Sequence, residues 1–103
     1  MDRIEQLRKF IAQAPGEAFP RYALALELKG KGDAQGAAAE LEDLLGRQPD
    51  YLAAYLQLGM LQQALDRFAE ARETLLRGQE VARKQGNTHT LSELVQALET
   101  LPR

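Results

Sequence analysis

The chain has no cysteine and no tryptophan, and its aromatics are sparse, with three Tyr and three Phe in 103 residues. Without cysteine, disulfides and thiolate metal sites are excluded. No stretch approaches the roughly 18 apolar residues of a membrane span, so no membrane association is expected. Neither sign of charge is concentrated. The 13 Lys and Arg alternate with 15 Asp and Glu, for a net charge of −2. A nucleic-acid binder would show a basic stripe, and there is none. The start, Met1-Asp2-Arg3-Ile4-Glu5, has no basic region followed by an apolar run. No leader is therefore expected, and a soluble, cytoplasmic protein is.

What the chain does have is a period. Leu7, Leu41 and Leu75 recur at a separation of 34 residues. Pro15 and Pro49 keep that spacing, as do Leu24 and Leu58, Ala25 and Gly59, and Ala37 and Ala71. A fixed period of this length marks one supersecondary unit stacked on copies of itself, each burying its neighbour's apolar face.

The helices follow from local patterning. Ile4, Leu7, Phe10 and Ile11 form an apolar stripe over residues 2 to 13, which Ala14-Pro15-Gly16 ends. A second helix is predicted to begin near Pro20 and to end at Lys29-Gly30-Lys31-Gly32. Asp33 suits the N-cap of a third, from Ala34 to about Arg47, with Ala37, Ala38, Leu41, Leu44 and Leu45 inward. Asp50 is expected to cap a fourth, which carries Tyr51, Ala54, Tyr55, Leu58, Leu61 and Gln62. Asp66 stands where the previous unit has Gly32 and is expected to adopt the left-handed conformation there.

The fifth helix holds Phe68, Ala71, Leu75 and Leu76. It has Arg83 where a third periodic proline would fall, so it should run on to Gly86. In the sixth, Thr90-Leu91-Ser92-Glu93 reads as a capping box, and Leu91, Leu94, Val95, Leu98 and Leu101 form an apolar stripe. The organisation expected is one domain, residues 1–103: an N-terminal half unit (1–14), full units at 18–51 and 52–85, and a closing helix at 87–101.

Leu24, Ala25, Leu28, Gly32, Ala37, Leu41, Leu44 and Pro49 in one unit, and Tyr55, Leu58, Gly59, Ala71 and Leu75 in the next, resemble the signature of the tetratricopeptide repeat (TPR) family. Gln62, Asp66, Gly78 and Arg83 depart from it. The resemblance implies an all-α, right-handed superhelical stack of antiparallel helix pairs, about six helices with a C-terminal capping helix. It also implies a non-catalytic scaffold for protein–protein interaction, with a partner's peptide or helix held on the concave face.

The positions matching the family's groove are Phe19, Tyr22, Leu26 and Lys29 on one helix, and Ala53, Leu56, Met60 and Gln63 on another. Their side chains either line that groove or are core, covered by the terminal helices. A family variant grips acidic C-terminal tails with a carboxylate clamp of cationic and amide side chains. The matching Tyr22, Leu26 and Gln57 supply no charge, so such tails should not bind.

His89 has no ligand or acid–base partners in sequence, Gly30 and Gly32 precede no phosphate-binding GK[ST], and Ser92 lies in no nucleophile elbow. No catalytic residue, metal or cofactor is expected. The rival function is self-assembly, a homodimer through the same apolar surface. Asp2, Glu5, Arg8 and Lys9 at one end, and Ser92, Glu93, Gln96 and Glu99 at the other, argue against end-to-end stacking.

Overall fold

A computed structural model describes residues 2–102. Among them are six α-helices and no strand: α1 (Arg3–Gln13), α2 (Ala18–Gly30), α3 (Ala34–Arg47), α4 (Ala53–Ala64), α5 (Phe68–Gln85) and α6 (Thr88–Glu99). Each packs on the next, α2 most extensively on α3 and α4 on α5, while α6 also reaches α4. This is the all-α helix-pair architecture that the 34-residue period requires.

Local chemistry explains most boundaries. Asp2 caps α1 by accepting the Glu5 amide at 2.9 Å, and Asp33 caps α3 by accepting that of Gly36 at 2.8 Å. Asp66 takes φ 61° and Gly32 φ 85° at equivalent turns, while Gly86 at φ 67° stops α5.

α2 begins at Ala18, with Pro20 in the first turn as expected, where the helix needs no amide donor. Two other starts differ from the sequence reading. Asp50 does not cap α4: Leu52 precedes it in helical conformation, and the amides of Ala54 and Tyr55 bond back to Tyr51 and Leu52. α6 is capped by Asn87, whose side chain accepts the Thr90 amide at 2.9 Å. Thr90 is thus already helical and no capping box forms. The same helix ends at Glu99, leaving Leu101 buried just beyond it.

The core runs continuously through the stack. Leu24, Ala25, Ala37, Leu41, Leu44, Ala54, Tyr55, Leu58, Ala71, Leu75 and Leu94 are all buried. Two assignments to the apolar faces fail: Phe10 is 54 % exposed and Leu76 47 % exposed. Each sits roughly 100° around its helix from a residue that does pack inward, Ile11 and Leu75.

The departures from the family pattern have structural partners. Gln62 is buried and accepts the Thr74 hydroxyl at 2.7 Å. Gly78 brings α5 against α4, since a Cβ there would stand 2.6 Å from that of Tyr55. Arg83 pairs with Glu80 at 2.7 Å. Gly59 makes room for Leu75, with a Cβ position 2.5 Å from Leu75 Cδ2. No helix of the described residues is long and apolar enough to cross a membrane.

Candidate protein-interaction surface

α2 and α4 each bury one face against a partner helix and turn another outward. On α2 the buried side carries Leu24, Ala25 and Leu28. Phe19 and Leu26, seven residues apart and so stacked along the helix, are 65 % and 38 % exposed. On α4 the buried set is Ala54, Tyr55, Leu58, Gly59, Leu61 and Gln62, and Met60 is 44 % exposed. Lys29 and Ala53 are also exposed, whereas Tyr22, Leu56 and Gln63 are half-buried. None of the eight groove candidates is buried.

The two rows are joined by polar and aromatic contacts at the α2–α4 junction. The Tyr22 and Tyr51 rings lie 5.4 Å apart and tilted. Lys29 Nζ donates to Gln57 Oε1 at 3.1 Å, so this cation is already engaged at the surface. Burial raises the Tyr22 phenol above its usual value of 10.0, and the neighbouring Tyr51 adds to this while Gln57 opposes it. Tyr51 is raised by burial too. Both stay neutral hydroxyls at physiological pH.

Further along, Leu56, Met60 and Gln63 of α4 face Glu93, Gln96, Ala97 and Thr100 at the α6 side of a hollow of about 320 Å³. These four residues were not legible as groove walls, because the 34-residue period fails in the sixth helix. Phe10, read from its stripe as inward, is exposed on α1. Arg8 pairs with Glu40 of α3, whereas Arg3 hydrogen-bonds Glu27 of α2 at 2.9 Å. Phe10, two turns from Arg3, therefore lies on the side of α1 turned away from α3.

A family model for the tetratricopeptide repeat matches residues 28–99. The chain belongs to the tetratricopeptide repeat family. A TPR repeat-containing protein of Pseudomonas aeruginosa is 31 % identical over 100 residues, covering 97 % of this chain and 95 % of its own. The crystal structure of a tetratricopeptide repeat domain protein from Salinibacter ruber is 43 % identical, with a TM-score of 0.77 over 80 % of this chain and 92 % of that one. The TPR2B domain of yeast Sti1, solved in its pHsp70 complex, superposes with a TM-score of 0.86 at 22 % identity over 93 % of this chain and 77 % of that one. At that identity the likeness concerns the fold. TPR domains are in general protein-interaction modules rather than enzymes, and this TPR chain shares their architecture.

Proposed function

We propose that the face formed by α2, α4 and α6 holds an apolar helix or extended peptide of a partner protein, and that the chain is a non-catalytic cytoplasmic scaffold. The observation that carries this reading is the exposure of the large apolar side chains of Phe19, Leu26 and Met60 on helices whose opposite faces are buried in the core. An apolar strip rimmed by Lys29, Gln63, Glu93 and Gln96 is what an amphipathic helix or extended peptide docks on. Acidic C-terminal tails are not the ligand. Tyr22, Leu26 and Gln57 offer no cation, Lys29 is engaged with Gln57, and α6 has no Lys or Arg.

The test pairs Leu26→Glu with Met60→Glu. Both positions are solvent-exposed, so helical content should be unchanged while capture of a partner from native extract, read by mass spectrometry, is lost. Undiminished capture by the double variant would sink the reading. The rival, a homodimer through the same strip, is separated by light scattering on the purified protein. A monomer of 11.5 kDa at all concentrations leaves the strip free for another protein, and a stable dimer that Met60→Glu dissociates puts a second copy there.

A further inference from the structure

The two full repeats differ on the side carried by α3 and α5, and the second holds a recess there. In the first, Arg21 is 8 % exposed, donates to the Pro15 carbonyl at 3.1 Å and pairs with Asp43 at 3.2 Å. Asp43 also takes Arg47 at 3.0 Å, and Gln48 donates to the Gly16 carbonyl at 3.0 Å. Thirty-four residues on, the counterparts of Arg21, Asp43, Arg47 and Gln48 are Tyr55, Arg77, Val81 and Ala82.

Part of the arrangement survives the exchange. The Tyr55 hydroxyl donates to the Pro49 carbonyl at 2.6 Å, and Gln85, three residues past the place of Gln48, donates to that of Asp50 at 2.7 Å. The Arg–Asp–Arg cluster does not survive. Arg77 instead lies over the Tyr55 ring, 5.8 Å from its centroid, and an aliphatic side chain stands where Arg47 stood. What remains is a hollow of about 500 Å³ walled by Pro49, Tyr55 and Val81, with Arg77 and Lys84 on its rim.

The rim carries Arg77 and Lys84 against two acids. Glu80 is committed to Arg83, and Asp50 is the only other acid there. Neither Arg77 nor Lys84 is in an ion pair with another of the described residues. Seven residues apart on one helix, they flank Val81 at a separation of roughly 10 Å. An apolar wall between two unpaired cations fits an apolar group with a negative charge beside it.

We propose that this recess is a second docking site, taking a short peptide segment of a partner protein in which a bulky apolar side chain neighbours Asp or Glu. The apolar side chain covers Val81 and Pro49, and the carboxylate meets Arg77 or Lys84. This site is separate from the α2–α4–α6 face and does not depend on it.

The test is a titration of the ¹⁵N-labelled full chain, followed by two-dimensional NMR, with the blocked hexapeptides SELFES and SKLFKS. The expected result is saturable shifts of the Asp50, Val81, Lys84 and Gln85 amides with the acidic peptide and none with the basic one. Val81→Arg, which places in the second unit the residue type of the first, should weaken binding by about tenfold. Lys84→Gln, on an exposed side chain, should weaken it about threefold, and it keeps the test decisive should Val81→Arg disturb packing. Equal responses to both peptides, shifts confined to Leu26, Leu56 and Met60, or no shift at millimolar peptide would each overturn the proposal.

Discussion

The packing of α4 on α5 can be tested through Gly59 and Leu75 together. Leu75 is 1 % exposed, so truncation to Ala removes fully buried carbon and leaves a cavity. The expected loss is about 2–5 kcal/mol. For a chain of this length, a 3 kcal/mol loss lowers Tm by roughly 10–15 °C. Gly59→Ala acts in two directions at once. It gains about 1 kcal/mol of helix propensity in mid-α4. Its new Cβ, however, would stand 2.5 Å from Leu75 Cδ2 and 2.7 Å from Cγ, inside contact distance. Overpacking of that kind costs about 1–3 kcal/mol, so the single variant should be neutral to destabilising by about 2 kcal/mol.

In the Leu75→Ala background those two carbons are gone. Gly59→Ala should then be stabilising, by about 1 kcal/mol from propensity plus what the methyl restores of the cavity. The two substitutions are therefore coupled by about 1–3 kcal/mol, well beyond the few tenths seen for independent sites. Urea unfolding of the four proteins, monitored by circular dichroism at 222 nm, measures this coupling. Additivity within about 0.5 kcal/mol would refute the inference that Gly59 is small to admit Leu75.

Other predictions follow from single features. Asp66 holds φ 61° where the equivalent turn has Gly32, so Asp66→Gly should stabilise by about 0.5 kcal/mol or more in urea unfolding. Gln79 is buried and its Nε2 has no hydrogen-bond partner among the described residues. Gln79→Leu, matching Leu45 of the first repeat, should gain about 1 kcal/mol, and an unfolding midpoint below wild type contradicts this. Tyr22 and Tyr51 have phenol pKa values raised in the folded protein above the unfolded 10.0. The folded state thus binds these protons more tightly, and their stabilising contribution is whole below pH 10 and falls as pH rises past it. Absorbance titration at 295 nm, with Tyr22→Phe and Tyr51→Phe variants to assign the steps, should show these two phenols ionising at higher pH in the native protein than in urea.

The helix boundaries were legible wherever a single residue dictates backbone conformation. Asp33 caps, Gly86 stops, and Asp66 goes left-handed, because each acts on its own turn. Asp50 and Thr90 misled because residues nearby took the work. Tyr51 and Leu52 supply the carbonyls at the entry to α4, and Asn87 reaches the Thr90 amide first. Phe10 and Leu76 misled in another way. A stripe read at helical spacing has an edge, and which side of that edge a neighbour covers depends on where the next helix lies.

The eight candidates on α2 and α4 were named from the resemblance to the family's groove, and the 34-residue period relates the four on α2 to the four on α4. The α6 wall of the same face could not, since the period ends before it. The recess beneath Arg77 was also hidden. Its residues come from the α3–α4 turn, α4 and α5, which only the fold brings together.

The amino-acid sequence by itself determined the architecture: helix lengths, turn positions and a stacking period are set by local propensity and by apolar spacing along one chain. Only the tertiary structure decided which side chains remain open. Exposure depends on the neighbouring helix, and that helix is positioned by contacts such as Gly59 with Leu75 and Gly78 with Tyr55, between residues 16 and 23 positions apart.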